Sequence, residues 1–278
     1  MNQPLTLIWG VNELSSSIAA TFLQAGLPVG MLCTEVPRSL KTAINFAEAF
    51  HHGRWTIDGV TAALIEPEEI ASEENSLPEL WRKAVIRAIR DKVIPLWTLD
   101  DFPQCWEQLE PTVIIFTEPT LPGSDPISLA PHTVGMAPLH QPGRDCRITV
   151  ETRLRYHLGQ VYHEAAPNIP ERDPHFFKDP FTTVKTPIEG LFIAYKELGD
   201  EVHLNEPLGT INQIEIRSPE DGQVWGLFHS GKMIQAGQPL AKIFLGKSRD
   251  EFRRFGFFHQ AVAGVCLREY LRFINNLS

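Results

Sequence analysis

The apolar positions change period along the chain. Residues 5–9 (LTLIW) form a short apolar run closed by Gly10. Leu14, Ile18 and Phe22 then recur every fourth position, one face of a helix, which Gly26 and Pro28 bring to an end. Residues 29–33 (VGMLC) are apolar again, so strand, glycine turn, helix and strand follow one another as in a parallel βαβ unit. Pro37 predicts the start of a second helix with Leu40, Ala43, Ile44, Ala47 and Phe50 as its stripe and Gly53 as its stop. Residues 62–65 read as a third strand. Ser76 and Glu79 have capping-box spacing before a helix carrying Leu80, Ala84, Val85 and Ala88. Residues 93–97 and 113–116 are further strands, separated by a short helix with Phe102, Trp106 and Leu109. This alternation predicts an open, Rossmann-like parallel sheet.

The pattern breaks after Thr117. Pro119, Pro122, Pro126, Pro131, Pro138 and Pro142 mark a loop-rich connector, with Pro167 and Pro170 downstream. Strand-like runs appear at 148–150 and 160–162. Asp250 to Phe273 reads as a C-terminal helix lined by Phe258, Ala261, Val262, Val265, Leu267 and Leu271, with Arg253, Arg254, Arg268 and Arg272 on a basic side.

Between these lies a stretch that reads twice. Thr186, Pro187, Glu189, Gly190, Gly199, Val202, Pro207, Leu208 and Ile211 are matched by Ser218, Pro219, Asp221, Gly222, Gly231, Ile234, Pro239, Leu240 and Ile243 at one constant offset of 32. Each copy offers turn chemistry, a short apolar strand, a second turn and a Pro-Leu-x-x-Ile strand. Two short strands cannot bury a face alone, but two copies packed together can. The spacing therefore predicts a small β-sandwich with quasi-two-fold symmetry. It resembles the biotinyl/lipoyl-like domain, whose carrier members bear the cofactor on a lysine between the halves. Residues 209–217 (GTINQIEIR) contain no lysine, so neither biotin nor lipoate is expected there. The whole chain is thus expected to be α/β, a Rossmann-like parallel sheet domain with its connector over 1–146 and a linking segment over 147–180. A small all-β biotinyl/lipoyl-like (barrel-sandwich) domain is expected over 181–246 and a C-terminal helix over 247–278.

Composition narrows the function classes. The chain has 278 residues, a formal net charge of -9, 43% hydrophobic residues and four dispersed cysteines. An acidic chain lacks the basic face that nucleic acid requires. No cysteine pair suggests a zinc site or a disulfide framework. No apolar run reaches the roughly 20 residues of a membrane span, so a cytoplasmic, reduced setting is expected. Glu66, Glu68, Glu69, Glu73 and Glu74 form an acidic run, read as a solvated loop.

The first loop carries the candidate chemistry. A dinucleotide loop needs Gly-x-Gly-x-x-Gly so that backbone amides approach a pyrophosphate. Here the sequence from Gly10 is GVNELSSS. Asn12 adds bulk where the second glycine would stand, and Glu13 adds like charge at the helix N-terminus. Gly10, Asn12, Ser15, Glu35 and Arg38 are the residues that could line a cofactor site, and NAD(P) binding is expected to be weak or absent. Ser15, Ser16 and Ser17 either cap the helix or meet a small anion. Glu35 either holds a ribose hydroxyl or is an ordinary surface acid, and Arg38 either faces an anionic ligand or pairs with Glu35. Glu118 with Asp125 could form a carboxylate pair, although solvated loop acids explain them better. His51, His52, His132 and His140 are not expected to bind metal, since adjacent helical side chains diverge by about 100° and the last two sit in the proline-rich loop. No cofactor is assigned, and no catalytic residue.

The segments TEVPRSLKTAINFAEAFHHGRWTIDGVTA, VETRLRYHLGQVYHEAAPN at 150–168 and HQAVAGVCLREYL resemble the YqeB family of selenium-dependent molybdenum hydroxylase accessory proteins. The resemblance spans nearly the whole chain. It implies an accessory or binding protein that supports maturation of molybdenum-containing hydroxylases, with the lipoyl-like domain as a docking module. It also implies a molybdenum hydroxylase or its maturation machinery as partner. Apart from the resemblance, self-association as a homo-oligomer is left open, and neither nucleic acid nor membrane is expected as a partner. Departures mark a divergent member: the family's Gly-x-Gly-Asp opening reads GVNE here, its Gly-rich loop reads GMAPL from Gly135, and its Arg-Gly-His reads Leu154-Arg155-Tyr156. The alternative is a nucleotide-dependent, NAD(P)-type enzyme using the sheet cleft.

Overall fold

The computed structural model describes residues 3–65, 77–101, 105–120, 124–153, 156–165, 180–246 and 250–276. The acidic run, Ser76 of the predicted capping box, Phe102, Leu154 and Arg155, and Pro122, Pro167 and Pro170 lie outside them. In chain order the first strands are β1 (Thr6–Trp9), β2 (Val29–Cys33), β3 (Lys41–Thr42), β4 (Arg54–Ile57), β5 (Val60–Leu64), β6 (Ile94–Thr98), β7 (Val113–Phe116), β8 (His132–Ala137), β9 (Ile148–Glu151) and β10 (Val161–Tyr162). Then come β11 (Phe181–Lys185), β12 (Gly190–Ala194), β13 (Glu201–Val202), β14 (Pro207–Ile211), β15 (Ile214–Arg217), β16 (Gly222–Leu227), β17 (Lys232–Ile234) and β18 (Pro239–Phe244). The helices are α1 (Glu13–Gln24), α2 (Ala49–His52), α3 (Leu77–Arg90) and α4 (Phe257–Asn275). Two units result: Met1–Pro37, Phe46–Arg172 and Phe255–Ser278 form one, and Arg38–Asn45 with Asp173–Arg254 form the other.

The first unit is built on a nine-stranded sheet in the order β10-β9-β8-β7-β1-β2-β6-β5-β4. The strands from β9 to β5 run parallel, and the edge pairs β9–β10 and β4–β5 are antiparallel. Strands β1, β2, β6, β7, β8 and β9 are buried at every position, as continuous apolar runs covered on both faces must be. On one side Trp81 and Val85 of α3 pack over Trp97 and Leu32, with the Trp81 and Trp97 rings 5.2 Å apart edge to face. Elsewhere α1 packs against α4, Phe22 meeting Tyr270 at 5.4 Å, and the Tyr270 hydroxyl donates to the Pro4 carbonyl at 3.3 Å. The α4 face that is buried runs through Val262, Ala263, Cys266 and Tyr270, whereas Ala261 and Leu271 of the predicted stripe are exposed.

The expected fold is corrected here. The sheet is mixed rather than parallel. The crossover from β8 to β9 contains no helix, and the described residues between β7 and β8 contain none. Strand–helix alternation therefore stops at β7, and β8, read from sequence as proline-rich loop, is a fully buried central strand. The predicted helix from Pro37 is replaced by β3 and the short α2. Lys41 and Thr42 have a tertiary partner in β16, which outweighs local helical periodicity.

The second unit contains two sheets, β11-β18-β16-β13 with β3 added to β16, and β15-β14-β12-β17. Shifting the first half of the repeat onto the second turns one four-strand order into the other. The loop hydrogen bonds repeat as well. Thr186 N–H donates to Gln238 O while Gly237 N–H donates to Thr186 O; equivalently, Ser218 N–H donates to Glu206 O while Asn205 N–H donates to Ser218 O. Asn205 and Gly237, at equivalent positions, both take positive φ, 66° and 81°. The shared core is Val202, Leu208, Ile211, Ile234, Leu240 and Ile243, the repeat's own apolar positions, with Phe192 and Val224. The expectation of a small all-β biotinyl/lipoyl-like domain over 181–246 is nonetheless corrected. One of its sheets is completed by β3, a strand from far upstream, and its compact unit begins with Arg38–Asn45.

Candidate functional site

Strand order places the site. From β1 the chain moves to β2 and β6 on one side, then returns to lay β7 on the other side of β1. The switch point of this open sheet lies outside the carboxyl ends of β1 and β7, the crevice position where such sheets place their ligands. Trp9 is in register with Phe116 there, so Gly10 and Thr117 begin the two loops that flank it.

Gly10 is required by close approach. Its φ is +109°, and a Cβ on it would stand 2.5 Å from Thr117 Oγ1 and 2.8 Å from Glu118 Cγ. The Thr117 hydroxyl donates to the Trp9 carbonyl at 3.1 Å. The Glu118 carboxylate lies over the turn, where Oε1 accepts the Val11 N–H at 3.1 Å. Burial pushes the Glu118 carboxyl above the usual carboxylate range, against the opposing hydrogen bonds from Val11 and Asn12. A half-buried carboxyl whose proton is held more tightly than usual, and which still reaches solvent, is a group able to exchange a proton with a ligand.

Asn12 caps α1. Its side-chain carbonyl accepts the Ser15 N–H at 3.0 Å and the Ser15 hydroxyl accepts the Asn12 N–H at 2.7 Å, a reciprocal capping box. Ser16 Oγ donates to the Asn12 carbonyl at 2.6 Å and accepts the Phe46 N–H at 2.9 Å. Of the candidate cofactor residues, then, Gly10 and Asn12 border the crevice, and Ser15 is fully buried with its hydroxyl engaged in the cap. Glu35 is exposed beyond β2, and Arg38 belongs to the other unit. Three amides of the first loop that a dinucleotide loop would turn to a pyrophosphate are taken by the protein's own side chains: Asn12 accepts the Ser15 N–H, Ser15 the Asn12 N–H and Glu118 the Val11 N–H.

Sequence reasoning passed over two contributors. Glu118 was weighed only with Asp125, which is exposed on the connector; its signal was an acid one residue past an apolar strand beside Gly10. His140 looked isolated in a proline loop. It is 2% exposed, with Nε2 3.0 Å from the Glu118 carbonyl and Nδ1 3.1 Å from the Met136 nitrogen. Burial lowers its pKa against the opposing hydrogen bonds from Glu118 and Met136, which favours the neutral ring. Beneath it, a Cβ on Gly135 would come 2.6 Å from His140 Cβ and 2.7 Å from Cys146 Sγ. Gly135→Ala should therefore cost about 1–3 kcal/mol through overpacking, read as a lower urea midpoint; an unchanged midpoint would contradict the packing argument.

Cys33 ends β2 near this edge and its thiol is pushed far up, first by burial and then by Glu118, Asp100, Asp101 and Glu35. Burial raises Cys146 and Cys266 to about 12, so neither is a ready nucleophile. Among the described residues no group of three or more His, Cys, Asp or Glu is placed to hold a metal ion. Among them, too, no helix is long and apolar enough to cross a membrane.

No family model matches the chain. A curated relative, the "Uncharacterized protein YqeB" of Escherichia coli (strain K12), is 26% identical over 244 residues, 86% of this chain. The chain spans 42% of the length of that relative. Among solved structures, the product-bound ectoine utilization protein EutE from Ruegeria pomeroyi aligns at 12% identity over 88% of this chain and 86% of its own, with a TM-score of 0.27. A succinylglutamate desuccinylase/aspartoacylase from Rhodobacter sphaeroides aligns at 13% identity over 87% and 85%, with a TM-score of 0.25. At these TM-scores no activity passes from either structure to this chain. YqeB is itself named as uncharacterized, so no role passes from it either. The expected accessory role is corrected on that ground, and the nucleotide-dependent alternative on the first-loop amides taken up by the protein's own side chains. What stands is likeness of sequence: over most of its length the chain is YqeB-like.

Proposed function

We propose that the crevice between β1 and β7 binds a small amine-bearing molecule and that Glu118 exchanges a proton with it. The observation that carries this reading is the Glu118 carboxyl, half-buried at the switch point, fixed by the Val11 N–H and raised in pKa by burial. The charge class follows from its surroundings. All four charges that raise the Cys33 thiol are carboxylates, those of Glu118, Asp100, Asp101 and Glu35. Such an edge favours a cation and opposes phosphate or carboxylate ligands.

Glu118→Gln keeps an acceptor for Val11 and removes the titrating group. Because the folded pKa of Glu118 is raised, the native state binds the proton more tightly than the unfolded chain does. Its contribution is complete below the ordinary glutamate pKa and declines as pH rises through the folded value. The variant should lose that slope. Carbon-detected NMR of Glu118 during titration with small primary amines, neutral amides, inorganic phosphate and NAD tests the ligand class. Amines should shift the Glu118 carboxyl signal and lower its pKa. Binding of phosphate or NAD in the crevice, or a Glu118 signal that no amine moves, would rule the reading out.

A further inference from the structure

We infer that His140 is the positioning residue for Glu118: its ring bridges β8 to the backbone of the β7 loop and so fixes where the carboxyl stands. This rests on the reading of Glu118 as the proton-exchanging group. The ring nitrogens make three contacts; Nδ1 also lies 3.3 Å from the Met136 carbonyl, and the two shorter contacts together favour one state. A carbonyl oxygen only accepts, so the 3.0 Å contact to Glu118 O requires a proton on Nε2. A backbone N–H only donates, so the 3.1 Å contact from Met136 requires a lone pair on Nδ1. The neutral Nε2–H tautomer satisfies both, whereas a proton on Nδ1 would give up the Met136 N–H for the longer contact to the Met136 carbonyl.

The bridge is held from several sides. The His140 N–H donates to the Met136 carbonyl at 2.9 Å, closing the turn that carries the ring. The ring lies 6.0 Å from that of Phe116, the last residue of β7, and Gly135 leaves the space its Cβ occupies. Glu118 is therefore gripped twice. His140 holds its carbonyl, and Val11 holds its carboxylate at the crevice wall. Releasing the first grip frees the loop after β7 and lets the carboxyl turn toward water, which removes the burial that raises its pKa.

The test follows two nuclei in the intact chain. Nitrogen NMR of His140 should show the Nε2–H tautomer, with Nδ1 unprotonated, across neutral pH. In His140→Leu, the Glu118 carboxyl should titrate closer to an ordinary glutamate. In His140→Gln, whose amide can donate to the Glu118 carbonyl, the Glu118 titration should stay nearer to that of the native chain. An Nδ1–H tautomer, or a Glu118 titration identical in the native chain and both variants, would overturn the inference. If the leucine variant does not fold, the tautomer and the glutamine variant decide. A merely structural His140 would change stability without moving the Glu118 titration. Failure of amines to bind, with the His140–Glu118 coupling intact, would sink the proposed ligand and leave the positioning role standing.

Discussion

Replacing Arg153 by methionine should destabilise the fold by about 3–5 kcal/mol near neutral pH, the largest single loss expected in the first unit. Glu151 ends β9 with no exposed side-chain surface. Its Oε1 accepts both the backbone N–H of Arg153, at 2.9 Å, and the Arg153 Nε–H, at 2.8 Å, while Nη2 binds Oε2. Burial pushes the Glu151 carboxyl up, but the Arg153 side-chain and backbone hydrogen bonds and its charge together bring it below the usual range. The sign follows: the pair's contribution is present above the unfolded carboxyl pKa and is lost as pH falls through the depressed folded value. Removing Arg153 leaves a buried carboxylate without its counter-charge. The loss should shrink in acid, where Glu151 can protonate, and Glu151→Gln added to the methionine variant should recover most of it. Urea denaturation at several pH values measures this. A loss below 1 kcal/mol, or one that grows as pH falls, would remove the buried-pair argument.

A second large effect is acid sensitivity from His132. This residue opens β8, is 9% exposed and stacks on Phe273 of α4, with ring centroids 4.4 Å apart and 10° between planes. Burial, aided by the Arg147 charge, lowers its pKa to about 4. Here the folded value lies below the unfolded one, so the unfolded chain takes the proton first. Stability should fall as pH drops from about 6.5 toward 4, by up to about 3 kcal/mol. His132→Phe keeps a ring against Phe273 and cannot titrate. Its acid limb should be shallower than that of the native protein by this amount. Equal slopes in the two proteins would show that His132 is already solvated or charged in the folded state.

Glu151 and His132 lie on strands that differ in how readable they were. β9 carries Ile148, Thr149 and Val150, a β-branched run, and was visible as a strand. β8 was not, because HTVGMA is flanked by Pro131 and Pro138 and contains Gly135. Local propensity there argues for loop, and burial between β7 and β9 argues for strand. The same contest decided β3, where a helical stripe was overruled by pairing with β16.

The sequence by itself determined the early strands, the first helix and the repeat, because each is local. Period, glycine and proline act within a few residues, and the 32-residue offset repeats them in register. It also marked Gly10 as the turn that closes the first strand, though not what stands against it. Only the tertiary structure decided the crevice. Gly10 and Glu118 are more than 100 positions apart, and they meet because β7 returns to pair with β1. His140 reaches Glu118 because β8 is laid beside β7. Strand order and burial are collective properties of the folded sheet, and the raised pKa of Glu118 exists only once both are in place.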